Sequence, residues 1–125
     1  VSIQFASNSE EIDVQVGGFT ITVDGGDQTH PSPGVFFITG LLACTASTAR
    51  GYCASSGLPL PTGMKAIVVN DENTRLVSEV KMQLQVPADF PPDRYDALLK
   101  AAGKCTVKKW WQNTPEFSVQ HEIVS

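Results

Sequence analysis

The stretch PSPGVFFITGLLACTASTARGYCASSG, residues 31–57, decides the fold. It predicts a helix starting near Pro33. Ser32 is a suitable N-cap, and proline's fixed φ and missing N–H suit the first helical position. The run continues to Gly57, after which GLPLPTG, residues 57–63, forbids further helix. The result is a helix of about 22 residues, longer than most in globular proteins. Apolar and small residues cover most of its circumference, so it is expected to be central and buried. Gly40, Ala43 and Ser47 recur at spacings of three and four and would let another helix come close. The longest apolar run, Val35 to Ala46, is about 12 residues, and a membrane span needs about 20. No membrane association is expected.

On the N-terminal side, VSIQF (1–5) and EIDVQVGGFTITVD (11–24) alternate. Ile12, Val14 and Val16 share one face, and Phe19, Ile21 and Val23 keep the same period of two. VGGF between them reads as a hairpin turn. DGGDQTHPSPG, residues 24–34, is a loop by its Gly, Pro and Asp content. On the C-terminal side, MKAIVVN and RLVSEVKMQLQVP form a second hairpin with DENT as its turn. Val80, Met82, Leu84 and Val86 alternate along it. FPPDRYDALLKAAGKC, residues 90–105, is a second helix. Pro91 and Pro92 open it, and Asp93 and Asp96 place negative charge where the helix dipole favours it. Leu98, Leu99 and Ala102 form its inner face, and Gly103 stops it. TVKKWWQ continues helically, and EFSVQHEIV, residues 116–124, reads as a closing strand. The order β-β-β-α-β-β-α-β is an α+β arrangement with two principal helices, in one domain spanning 1–125.

Bulk properties fit this. The chain has 125 residues, 42% hydrophobic and 18% charged, with formal net charge −4. That length suits a single domain. The largest basic cluster is Lys108–Lys109, which argues against nucleic acid or an anionic membrane as partner. No basic segment precedes an apolar run at the start, so no signal peptide is expected. Three cysteines cannot all pair within one chain, and a reducing cytoplasm is the expected compartment. No CxxC occurs, and His30 and His121 lie far apart, so neither metal nor cofactor is expected.

The cysteines carry the functional question. Cys44 sits among Leu41, Leu42 and Ala43, and buried free cysteine commonly serves as a small hydrophobe. Cys53 lies nine positions on, about 180° round the helix, so the two face opposite sides and do not pair. Cys105 follows the break at Gly103 and opens the next helical turn. A thiol there, near Lys104, Lys108 and Lys109, has its thiolate favoured.

PSPGVFFITGLLACTAST, then a hairpin ending QLQVPADFPPDRYDALLKAAGKCTV, then TPEFSV, resembles the OsmC/Ohr family of thiol-dependent hydroperoxide reductases. The resemblance runs from Pro31 to the end. Its most specific parts are Pro33, the small-residue run ending in Cys44-Thr45, and LLKAAGKCTV. It implies an OsmC-like fold in an intertwined homodimer, with long central helices wrapped by antiparallel sheets from both chains. It also implies that interlocking the chains makes the distant sulfurs neighbours, in active sites at the subunit interface. Cys44 matches the peroxidatic cysteine and Cys105 the resolving one. An apolar hydroperoxide is then the substrate and an external dithiol the reductant, in oxidative stress defence. Phe37, His30, Trp110 and Trp111 are the candidate substrate-binding residues.

The chain departs from the family in one respect. Peroxidases of the family use an arginine from the N-terminal strands and a glutamate in the first turn of the central helix. Here no arginine precedes Arg50, and Gly34 and Val35 stand where the carboxylate belongs. Arg50 lies about 240° round the helix from Cys44, a poor replacement. An unassisted buried thiol reacts slowly. A second expectation therefore stands beside the first, a non-peroxidatic binding or carrier protein with an apolar pocket at the dimer interface.

Overall fold

The computed structural model describes residues 1–5, 11–24 and 30–124. The elements are β1 (Ser2–Phe5), β2 (Glu11–Val16), β3 (Phe19–Asp24), α1 (Pro33–Ser55), β4 (Gly63–Asn70) and β5 (Val77–Gln85), followed by a 3₁₀ turn (Pro92–Arg94), α2 (Tyr95–Ala102) and α3 (Thr106–Gln112). The strands form two antiparallel sheets, β1-β2-β3 and β4-β5. The fold is mixed α and β. By contacts the chain divides into two compact units, Val1–Ala43 and Cys44–Ser125, with the division inside α1.

In the first unit β2 and β3 meet through Gly17-Gly18, with Val16 opposite Phe19. Gly17 has φ +56, a left-handed conformation that a two-residue hairpin turn needs and glycine adopts without strain. At the other end of the pair Glu11 stands opposite Asp24. The Asp24 N–H donates to the Pro31 carbonyl at 3.0 Å and directs the chain toward α1. Ser32 caps that helix as expected, its Oγ accepting from the Val35 N–H at 3.2 Å.

Along α1 the buried residues are Leu41, Thr45, Ala49 and Cys53, one every four positions. Val35, Phe36 and Phe37 are exposed. The helix is thus buried along one stripe, narrower than its apolar circumference suggests, because a single chain packs only that side. It ends as glycine dictates. Gly57 has φ +67, and the Leu58 N–H reaches back to the Cys53 carbonyl at 2.9 Å.

In the second unit Ala49, Cys53, Phe90, Leu98 and Ala102 form the core, with Tyr52, Leu58, Leu84 and Val86 against it. Phe90 stacks on Tyr95 with ring centroids 5.7 Å apart. Arg94 Nη2 donates to the Tyr52 hydroxyl at 2.9 Å and ties the 3₁₀ turn to α1. In the β4–β5 hairpin, Asp71 Oδ1 accepts the N–H groups of Asn73 at 2.8 Å and Thr74 at 3.0 Å.

TVKKWWQ is helical, in a separate helix, α3, after the break expected at Gly103, with Cys105 extended at ψ 137 as its N-cap. One expectation needs correcting. The closing strand does not form: residues 113–124 carry no regular structure and are exposed. Alternation confers a strand's pattern, but a strand also needs a neighbouring edge to bond to.

Candidate functional site

The site is built where α2 gives way to α3. Gly103 closes α2, its N–H donating to the Leu99 carbonyl at 3.1 Å. The chain extends through Cys105, which caps α3 with its own sulfur: Sγ accepts the Lys108 N–H at 3.2 Å. Cys105 is 1% exposed. Thr45 lies on the buried stripe of α1, and Cys44, next to it, is half-buried.

These residues meet at one atom. The Cys105 sulfur has the Thr45 hydroxyl, the backbone N–H groups of Lys108 and Val107, and the Cys44 thiol as hydrogen-bond partners. Burial pushes the Cys105 thiol up, and its hydrogen bonds, that of Thr45 first, pull it back further, so it lies below its ordinary value. Cys44 and Cys105 are both free thiols. Their approach is made within one chain. This corrects the expectation that two polypeptides must interlock before the sulfurs become neighbours.

A hollow of about 250 Å³ adjoins the pair, lined by Thr45, Val80, Met82, Leu84, Leu99 and Lys108 among others. Its wall is mostly hydrocarbon and thioether. Lys108 turns its ammonium to the Gly103 carbonyl at 3.5 Å. A space of this size suits a small organic molecule.

The other candidates are not among the residues that line this hollow. Trp110, 66% exposed, and Trp111 sit on α3 and do not line this hollow. Phe37 belongs to the first unit and is exposed there. His30 Nδ1 is 3.6 Å from Glu11 Oε1. Glu11, Asp24 and His30 cluster with their ligand atoms within 4.8 Å of one another. His30 thus sits against two carboxylates that face each other across the β2–β3 register, where an imidazolium would relieve their repulsion. Cys53 is fully buried in the core, and burial pushes its thiol up. Arg50 lines a different hollow, with Pro61, Thr62 and Gly63. Sequence reasoning missed Thr45 as a partner of Cys105. The available signal was its place in the four-residue rhythm of Leu41, Ala49 and Cys53.

The family model for OsmC-like proteins matches residues 24–120, a span that includes both Cys44 and Cys105. The chain belongs to the OsmC-like protein family. Solved OsmC-like structures agree in fold. An OsmC-like protein from Mycoplasma pneumoniae superposes with TM-score 0.75 at 13% identity, covering 90% of this chain and 86% of that one. An OsmC-like hydroperoxide resistance protein from Jannaschia sp. superposes with TM-score 0.56 at 16% identity, covering 97% and 89%. Among curated proteins none matches. Among the described residues of this OsmC-like chain, no helix is long and apolar enough to cross a membrane.

Proposed function

We propose that this OsmC-like chain reduces organic hydroperoxides through its two paired thiols, Cys44 attacking and Cys105 resolving, in defence against oxidative stress. The observation that carries the reading is the hydrogen-bonded pair of free thiols beside an apolar hollow. The hydroperoxide resistance protein among its structural likenesses supports it. Cys44 Sγ attacks one peroxide oxygen, the O–O bond breaks, and the alkoxide leaves as an alcohol after taking a proton. Cys44 is now a sulfenic acid. Cys105 displaces its oxygen as water and a disulfide forms. An external dithiol reduces that disulfide and is itself oxidised. A hydrocarbon-lined hollow favours organic over inorganic peroxide. A reducing cytoplasm supplies such dithiols, and the exposed Val35, Phe36 and Phe37 favour a homodimer.

The test is a free-thiol count before and after one equivalent of cumene hydroperoxide, followed by disulfide mapping. Loss of two thiols per chain with a Cys44–Cys105 link supports the reading. Survival of all three thiols for an hour removes it. One observation favours the alternative, a binding or carrier protein. The chain's arginines are Arg50, Arg75 and Arg94. Arg94 is bonded to Tyr52, Arg75 follows the β4–β5 turn, and Arg50 lines the other hollow. Under that reading the hollow binds apolar ligands and the thiols survive peroxide.

A further inference from the structure

On the buried stripe of α1, Thr45 is the one hydroxyl among Leu41, Ala49 and Cys53. It is 7% exposed, and a hydroxyl so placed costs stability unless a partner meets it. It faces the α2–α3 junction, because one hollow is lined by Thr45 together with Leu99, Ala102, Gly103 and Lys108. Cys105 lies between those last two in the chain, 1% exposed, its sulfur accepting the Lys108 N–H at 3.2 Å. The Thr45 hydroxyl is a hydrogen-bond partner of the same sulfur. The Lys108 bond sets the direction of that sulfur relative to α3 alone. The Thr45 contact sets it against α1. Consecutive Cα atoms lie about 3.8 Å apart, so a tie to Thr45 also fixes how far Cys105 stands from Cys44.

We propose that Thr45 is the positioning residue of the thiol pair: its hydroxyl holds the Cys105 sulfur within reach of Cys44, so that the disulfide closes quickly. This rests on the peroxidase reading and deepens it. Once Cys44 is a sulfenic acid, the Cys105 sulfur attacks the Cys44 sulfur. The S–S bond forms, the S–O bond breaks, and the oxygen leaves as water with the Cys105 thiol proton. Thr45 touches neither the peroxide nor the departing oxygen and acts only through the place it gives Cys105. Speed matters at this step, because a sulfenic acid left waiting is carried on to sulfinic acid by a second peroxide. A valine at the same position would fill the same space without the hold.

The test separates positioning from packing. Thr45→Val keeps the shape and removes the hydroxyl, and Thr45→Ser keeps the hydroxyl. With one equivalent of cumene hydroperoxide, the first thiol should be lost at the wild-type rate in both variants. Disulfide closure should slow about tenfold in Thr45→Val and recover in Thr45→Ser. Under excess hydroperoxide, mass spectrometry should find Cys44 sulfinic acid accumulating in Thr45→Val and not in Thr45→Ser. Closure is also read without peroxide: an aromatic disulfide caps Cys44, and attack by Cys105 expels the aromatic thiolate, whose absorbance gives the rate. That second reading should show the same loss and the same rescue. If Thr45→Val does not fold, Thr45→Ala carries the same expectations. The proposal is overturned if closure in Thr45→Val runs at the wild-type rate, or if Thr45→Ser closes as slowly as Thr45→Val. Failure of the peroxidase reading shows separately, as wild-type thiols that survive the hydroperoxide, and the peroxide-free closure still decides what Thr45 does.

Discussion

At the scale of single residues, three sulfurs on one chain have three different fates, and their surroundings decide each. Cys53 lies in the core with Ala49, Phe90, Leu98 and Ala102, and burial pushes its thiol up. It should resist thiol reagents until the protein unfolds. Cys53→Ala should leave hydroperoxide consumption intact and cost about 1 kcal/mol of stability in a denaturant titration, the usual effect of a small core deletion. The two buried thiols also bend the pH dependence of stability in opposite directions. Cys53, raised in the folded state, contributes below its unfolded value, and the contribution is lost as pH climbs through the folded one. Cys105, lowered in the folded state, contributes above its unfolded value and loses that contribution as pH falls through the folded one. Melting temperature against pH should therefore lose part of its alkaline decline in Cys53→Ala, and in Cys105→Ser the part of its slope that lies just below the ordinary thiol value. Sequence made part of this legible. The helix break at Gly103 and the new helical turn opening at Cys105 follow from local chemistry. That Cys44 would reach Cys105 came from family resemblance. The four-residue rhythm of α1 marks Thr45 as inward-facing, but no local pattern encodes that it meets Cys105.

At the scale of elements, the caps and turns were the most readable features, because backbone chemistry within a few residues fixes them. Ser32, Gly57 and Gly17 do what their types dictate. The β4–β5 turn carries two testable details. Arg75 adopts φ +59, a left-handed conformation costly for a side chain bearing a Cβ. Arg75→Gly should raise the melting temperature, with a gain of about 1 kcal/mol or less after glycine's greater unfolded-state entropy is counted. The N–H groups of Thr74 and Asn73 hold the Asp71 carboxyl below its usual range. Its folded value lies under its unfolded one, so the turn is secure above the unfolded value and loosens as pH falls through the folded value. Protection of the Asn73 and Thr74 amides, taken relative to the intrinsic exchange rate at each pH, should fall at acid pH, and Asp71→Ala should show that loss already at neutral pH. The misread element, residues 116–124, shows the limit of such reasoning. Phe117 and Val119 alternate as a strand would, yet pairing depends on an edge contributed from elsewhere, and periodicity does not report one.

At the scale of the whole molecule, each of the two units leaves large apolar residues exposed. Val35, Phe36 and Phe37 on α1 and Phe117, Val119 and Ile123 near the C-terminus are all exposed. A homodimer would cover such residues. Sedimentation velocity should give a dimer for the wild type, and Val35→Asp should shift it toward monomer. A persistent monomer in the wild type would show that these residues serve something else. One further consequence follows from the double employment of Cys105, whose sulfur both caps α3 and belongs to the thiol pair. Under the proposed peroxidase reading, a bond to Cys44 would make that sulfur a far weaker acceptor, and the Lys108 amide would lose much of its hold. Oxidation would then slacken the first turn of a short helix that also bears Trp110 and Trp111, the chain's two indoles. On that reading the protein carries its own gauge: emission from those indoles should track the oxidation state of the sulfurs, with no added dye.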